Sequence, residues 1–272
     1  MNMNIKRDLM AIQGNNIFST EEEELASYLK MKNLEHANVV ARTVHPKKTL
    51  YTKIGKRLVD LIIIIPVMII LSPIYIILAA TNLIDMGKPI LFKQTRYGYR
   101  GKNYNILKFR SMRNLVDAEG RQLPPDQRLT KYGRFIRKVS LDELPNFYNI
   151  LKGEMSIIGP RAVPVFYLER MTERHKKMSE VRPGLECPIM INLKAGDNIS
   201  KYEVIFENNI WYVENISLFT DVKMFFKLIK MVFSMGERTK HASAASFFVG
   251  YDEEGRALSL KLAYQLYKDQ IK

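Results

Sequence analysis

The sequence predicts an α+β protein: a re-entrant membrane helix hairpin carrying a small, mainly helical cytosolic domain with a β-hairpin and interfacial amphipathic helices. Three observations predict it. Leu58 to Leu83 is dominated by Leu, Ile, Val, Met and Ala, with Asp60 its one charged residue. Basic residues flank that run on both sides in near balance. Beyond it, two short β-type runs bracket a Gly-rich turn, and helical patterns follow. The chain divides accordingly into an N-terminal extension (1–50), a membrane segment (51–84), a main domain (85–235) and a C-terminal extension (236–272).

The composition sets the bounds. A chain of 272 residues with 47% apolar and 10% aromatic content is long and apolar enough to fold, which excludes a disordered polyelectrolyte. Lys and Arg outnumber Asp and Glu by 42 to 28, a formal charge of +14. Such an excess attracts polyanions: nucleic acid, anionic lipid or phosphorylated substrates. The single Cys187 cannot form an internal disulfide, which suits a reducing compartment, and reads as a small buried apolar residue. Met1–Asn16 is polar and is not expected to act as a secretory signal.

A straight helix over Leu58–Leu83 would cover about 39 Å, against a hydrocarbon core of about 30 Å. Two features favour a hairpin over a single span. Ser72-Pro73 sits mid-segment, where Pro lacks an amide donor and clashes with the preceding turn, and Pro66 adds a second weak point. The flanks carry Arg42, Lys47, Lys48, Lys53, Lys56 and Arg57 before the run, and Lys88, Lys93, Arg96, Arg100 and Lys102 after it. A span requires an imbalance of positive charge, and here there is almost none. Folding back at Ser72-Pro73 gives arms of roughly 22 and 16 Å, about one leaflet each. A Pro-kinked full span is the alternative, since transmembrane helices tolerate Pro.

The remaining elements follow in order. Thr20 and Glu23 form a capping box ahead of an acidic helix running toward Val40, read as a solvated appendage or a partner helix without chemistry. Pro89–Phe92 and Tyr104–Phe109 are β-type runs around Tyr97-Gly98-Tyr99-Arg100-Gly101, a hairpin signal. Ser111–Gln127 is polar and reads as a surface loop with a short helix, and Glu169–Lys177 as a charged helix. In Asp221–Phe233, Lys223, Lys227 and Lys230 form one helical stripe beside an apolar face, which suits an interfacial helix or a core helix with a solvated edge. An amphipathic helix with Leu258, Leu260, Leu262 and Leu266 closes the chain.

The chemistry concentrates between Lys108 and Arg161. Lys108-Phe-Arg110-Ser111-Met112 ends the hairpin, Arg134 and Arg137 flank Phe135-Ile136, Asp142-Glu143 lies inside Ser140-Leu-Asp-Glu-Leu-Pro145, and Gly159-Pro160-Arg161 follows. Guanidinium forks and hydroxyls bind phosphate oxygens, and adjacent carboxylates among cations stay ionised, one free to attack and one to hold a metal. A Ser140–Glu143 capping box fits poorly, because Pro145 would fall inside the helix. Asp142 as a plain N-cap fits better, and the same geometry offers a carboxylate beside a phosphate-binding helix end. Composition leaves those two readings even.

The ordered motifs resemble the bacterial sugar transferases, the monotopic polyprenyl-phosphate phosphoglycosyl transferases that initiate polysaccharide and glycoconjugate assembly. They are Lys108-Phe-Arg-Ser-Met, Thr130-Lys-Tyr-Gly-Arg-Phe-Ile-Arg137, Ser140-Leu-Asp-Glu-Leu-Pro145, Asn149-Ile-Leu-Lys-Gly153, Met155-Ser156 and Gly159-Pro-Arg161. The likeness extends from about Lys53 to Phe233 and includes Lys56-Arg57, Asp60, Ser72-Pro73, Tyr212-Val213, Ser217-Leu218 and Asp221.

The resemblance implies transfer of a sugar-1-phosphate from a UDP-sugar to undecaprenyl phosphate, with release of UMP. Asp142 matches the family nucleophile, and Glu143 the carboxylate associated with Mg²⁺. Lys108, Arg110, Ser111, Arg134, Arg137, Pro160 and Arg161 match phosphate and nucleotide contacts, and Ser72-Pro73 the family's membrane break. It also implies a bacterial inner-membrane location with the site on the cytosolic face, membrane lipids as partners and room for a homo-oligomer. Three positions depart from the family: Ala162 replaces a second Pro, Leu185–Ile189 replaces a Thr-Gly stretch leading to Gln, and Glu154 replaces Asp. Ala162 and the Leu185–Ile189 stretch motivate an alternative, a catalytically degenerate homologue that scaffolds a glycan-assembly complex. A nucleic-acid binder rests on charge alone, without a reading motif, and no nucleic-acid partner is expected.

Overall fold

A computed structural model describes residues 20–116, 123, 125–196, 198–233, 247–267 and 270. Met1–Asn16, part of Ser111–Gln127 and the start of the C-terminal extension lie outside the described residues. The architecture is α+β: helices with three separate two-stranded sheets. Helix α1 spans Thr20–Val40, and a π turn over Tyr51–Gly55 leads into α2, Lys56–Met86. Strands β1 (Leu91–Arg96) and β2 (Tyr104–Phe109) form the expected antiparallel hairpin, in register from Leu91 opposite Phe109 to Arg96 opposite Tyr104. Helices α3 (Lys131–Lys138) and α4 (Asn146–Lys152) follow. Strands β3 (Ser156–Ile158) and β4 (Gly184–Glu186) pair in parallel. Helices α5 (Lys201–Asn215) and α6 (Leu218–Phe233) precede the antiparallel pair β5 (Phe248–Tyr251) and β6 (Ala257–Ser259), and α7 (Leu260–Tyr267) follows.

Helix α2 runs through both Pro66 and Pro73, so Ser72-Pro73 does not interrupt the helix as the sequence led us to expect. The reason is local. Pro73 has no amide to give the carbonyl of Ile69, four residues back, and the Ser72 hydroxyl donates to that carbonyl at 2.8 Å instead. Among the described residues one helix, Tyr51–Met86, is long and apolar enough to cross a membrane. Its midsection faces outward, with Ile62, Ile69, Ile70, Ile76 and Ile77 between 60% and 73% exposed. Apolar side chains exposed in such number suit a membrane surrounding.

Both ends of α2 dock on the same domain. At its start Lys56 Nζ pairs with Asp221 Oδ2 at 2.6 Å, and Tyr212 Oη donates to Asp221 Oδ1 at 2.6 Å. Asp60, buried there, accepts from Ser156 Oγ at 2.9 Å and from the Ile157 amide at 3.1 Å. Near its end Asn82 Nδ2 donates to the Arg110 carbonyl at 2.6 Å, and Thr130 Oγ1 to Asp85 Oδ2 at 2.6 Å. The motif residues Lys56, Asp60, Tyr212 and Asp221 are thus structural anchors.

The chain ends depart from expectation. The helix read as a solvated appendage buries Leu25, Ala26, Leu29 and Ala37, and it shares one core with β5, β6, α7, Tyr167 and Phe206. Its many charges mask a narrow apolar stripe whose partners lie more than a hundred residues away. Glu169–Lys177 is not one helix. A 3₁₀ turn ends at Arg170, and Thr172 opens a new turn by accepting the His175 amide. Leu258 lies in β6, and the last helix starts at Leu260.

Candidate active site

The site grows out of three consecutive pieces. Thr130 caps α3 by accepting the Gly133 amide at 2.8 Å. That helix buries Gly133 and Ile136 and exposes Arg134, Arg137 and Lys138, so its outer face is basic. Gly133 is required there: a Cβ would stand 1.9 Å from the Ser111 carbonyl oxygen, locking α3 against the end of the hairpin. The chain then reverses through Ser140 in the left-handed region (φ 58°, ψ 22°), which is costly for a residue with a Cβ. A 3₁₀ turn, Leu141–Glu143, follows at once.

That turn settles both capping readings. The Ser140 side chain makes no cap bond, and Pro145, not Asp142, occupies the N-cap position of α4. Asp142 and Glu143 sit in a turn of their own before the helix. Leu144, buried at its close, packs with Leu78, Phe109 and Ile136. Asn146 Oδ1 accepts the Leu107 amide at 3.1 Å, which brings β2 against α4 and delivers Lys108 to the dyad. Lys108 Nζ reaches Glu143 Oε1 at 2.6 Å, both partners being about a third exposed.

Asp142 is 7% exposed. Burial pushes its carboxyl up to about 6, Lys108 and Arg137 pull it down, and Glu143 pushes it further up. At neutral pH it is therefore mostly ionised, desolvated and set among cations.

The other residues singled out in the sequence divide. Arg137 acts on Asp142 through its charge, and Arg134 lies one turn earlier on the same helix. Arg110 is turned inward instead: Nη1 donates to the carbonyls of Gly87 (3.3 Å) and Pro89 (2.9 Å), just past the end of α2. Ser111 contributes its backbone to the Gly133 contact. Pro160 is buried beside β4, its carbonyl accepting the Gly184 amide at 3.0 Å. Arg161 is exposed, its amide held by Asn209 Oδ1 at 2.9 Å and its guanidinium 3.9 Å from Glu186. The described contacts of Arg161 therefore tie it to Glu186 and Asn209 rather than to the dyad.

Sequence reasoning missed Asn146, Asn208 and Asn209, and gave the motif residue Asn149 no role of its own. Asn149 bridges the Asn105 carbonyl and Glu154, so Glu154 serves as a scaffold. Asn208 Oδ1 accepts the Met190 amide at 2.8 Å and so holds the Leu185–Ile189 departure in place. Cys187 in that stretch packs into the core, and burial pushes its thiol up to about 12, as expected of an inert residue. Neighbouring Asn208 and Asn209 were the one available signal, since two buried amides inside a helix need partners outside it.

Among the described residues no three His, Cys, Asp or Glu side chains gather as a metal site. Glu143, the carboxylate expected to associate with a metal, is paired through Oε1 with Lys108.

The site thus sets a buried carboxyl beside Lys108, Arg137 and Glu143, in a strongly basic chain with one long apolar helix. Residues 51–235 match the family described as "Bacterial sugar transferase", and this chain belongs to it. It is 40% identical over 194 residues to the uncharacterized sugar transferase EpsL of Bacillus subtilis, covering 71% of this chain and 95% of that one. It is 35% identical over 179 residues to the UDP-glucose:undecaprenyl-phosphate glucose-1-phosphate transferase of Klebsiella pneumoniae, covering 63% of this chain and 38% of that longer protein. It is 31% identical over 194 residues to the exopolysaccharide production protein PSS of Rhizobium leguminosarum, covering 67% of this chain and 96% of that one.

Proposed function

We propose that this chain transfers a sugar-1-phosphate from a UDP-sugar to undecaprenyl phosphate, the first membrane step of polysaccharide or glycoconjugate assembly. The observation that carries the reading is Asp142 itself, buried and poised near 6 beside the Lys108–Glu143 pair. An Asp142 carboxylate oxygen attacks the β-phosphorus, and the bond to the bridging oxygen breaks. UMP leaves with that oxygen and the electron pair. A phosphate oxygen of undecaprenyl phosphate then attacks the same phosphorus, the bond to Asp142 breaks, and the carboxylate is restored. Lys108, Arg137 and Arg134 offset the negative charge that converges there. Glu143 would hold Mg²⁺, which supplies charge neutralisation on the diphosphate when bound.

The membrane layout belongs to this reading. Arg57 and Tyr75 are separated by about 27 Å on a straight helix, yet they reach the carbonyls of Leu151 and Leu144, about 10 Å apart along α4 and the turn before it. That spacing, and the docking of both ends of α2 on one domain, supports a segment bent back near Ser72-Pro73 within one leaflet, with the site on the cytosolic face of the inner membrane. Helix α6 supports it too. Asp221 and Met224 face the core, while Phe219, Val222 and Phe226 stay exposed beside Lys223 and Lys227, an arrangement suited to an anionic lipid surface.

UMP release from a panel of UDP-sugars (glucose, galactose, their N-acetyl forms and deoxyamino sugars) with undecaprenyl phosphate tests the reaction. Release with any donor is the expected result. No release across the panel would leave the scaffold alternative standing.

A further inference from the structure

Tyr75 stands two residues after Pro73, in the most outward-facing stretch of α2. Its neighbours Ile74, Ile76 and Ile77 are exposed, at 38%, 70% and 60%. Its own hydroxyl turns the other way and donates to the Leu144 carbonyl at 2.6 Å. Leu144 closes the turn that carries Asp142 and Glu143. The same carbonyl accepts the Phe147 amide at 2.9 Å, so the end of the turn is gripped from α4 and from α2 together. The Tyr75 ring also packs on Phe109, with centroids 6.3 Å apart, and Phe109 is the residue after Lys108. One side chain from the apolar segment thus touches both halves of the site: the turn bearing the carboxylates and the strand end bearing their cationic partner.

The turn needs such a grip. Ser140 enters it in the left-handed region, a conformation held in place only by its surroundings. The cluster around Leu144 draws Leu71, Tyr75, Leu78 and Ala79 from the apolar segment, so the seating of that segment and the seating of the turn are one packing problem.

We propose that Tyr75 is a positioning residue: its hydroxyl, bonded to the Leu144 carbonyl from the middle of the membrane segment, sets the turn that holds Asp142 and Glu143. The turn is then fully formed only when the segment is seated. In its effect on turnover this rests on the transferase reading above; in its effect on the turn itself it does not.

Two measurements in nanodiscs test it. Tyr75→Phe keeps the ring on Phe109 and removes the hydroxyl. Amide hydrogen exchange across 141–147 is expected to quicken about 10-fold, the scale of one hydrogen bond. Unchanged exchange would overturn the proposal, whatever the activity. In turnover, kcat is expected to fall about 10-fold with the UDP-sugar KM within about twofold, the pattern of a lost transition-state geometry. Tyr132→Phe is the control. It removes another hydroxyl contact to α2, at the Leu78 carbonyl and Thr81 Oγ1, and keeps the ring in the cluster around Leu144. Its kcat is expected to stay within about twofold of wild type. Wild-type kcat in Tyr75→Phe, or equal losses in both variants, would overturn the proposal. An inactive wild type would instead refute the transferase reading and leave the exchange result to decide.

Discussion

Two carboxyls in this protein are lifted by burial to nearly the same degree, and they do opposite things. Asp142, at about 6, stands in a strained turn among Lys108, Arg137 and Glu143. Glu203, at about 7, sits where α5 meets the paired chain ends. Burial raises Glu203, and its Oε2 accepts the Ala257 amide at 2.6 Å, which fastens β6 to α5. Nearby, His175 is held neutral-leaning by burial. Glu207, which burial pushes upward, is brought down to about 2 by bonds from His175 and Arg174. In this region each charged group is committed to a partner within a core of aromatic rings. At Asp142 the cations stay partly exposed and able to take another anion. A perturbed carboxyl therefore does not by itself identify a reactive site; what surrounds it does.

The largest test of that contrast is a pair of substitutions. Asp142→Asn is expected to reduce formation of phosphosugar lipid by more than about 10³-fold, the loss of a nucleophile. Glu203→Gln, which keeps an acceptor for Ala257, is expected to leave it within about twofold. Comparable losses in both would break the distinction between the two regions.

Gly133→Ala probes how closely the reactive region is packed. The added Cβ meets the Ser111 backbone, and a stability loss of about 2–4 kcal/mol is expected in chemical denaturation. Lys108→Met separates charge from packing. It removes the partner of Glu143, and turnover is expected to fall about 10- to 100-fold while the melting temperature barely moves, since a part-exposed ion pair adds little stability.

The smallest effects are those of pH, and they sharpen the comparison most. In the proposed reaction Asp142 attacks as a carboxylate, so kcat/KM is expected to rise with pH up to a plateau, with its acid limb near 6. Glu203 acts on stability. Its folded value is above the unfolded one, so the folded state holds the proton more tightly. Unfolding free energy should fall as pH rises from about 4.5 through about 7, by about 1–3 kcal/mol in all. Glu203→Gln should flatten that slope in denaturation curves measured at pH 5 to 8, and should leave the acid limb of activity where it is.

Much of this was legible before any coordinates. The hairpin follows from alternation around Gly98 and Gly101, and the apolar segment from its unbroken run between basic flanks. Lys108, Arg137, Asp142 and Glu143, singled out by the ordered motifs, lie together in the structure. Arg110 was misleading, because a basic residue inside a basic motif looks the same whether it faces a ligand or the carbonyls after a helix. Continuous helix through Pro73 was also hidden, since the rescue depends on the rotamer of Ser72. The N-terminal helix was read as solvated because the segments it covers lie at the other end of the chain.

The sequence by itself determined the local character of several segments: one long apolar run, a β-hairpin, a basic motif and an adjacent pair of carboxyls. Period, composition and turn chemistry are local properties, and a few neighbouring residues suffice to express them. Only the tertiary structure decided which carboxyl is desolvated yet open to cations, which arginine is spent on carbonyls, and that Tyr75 reaches from the apolar segment to Leu144. Those outcomes depend on burial and on partners tens to hundreds of residues away, and both exist only once the chain has packed.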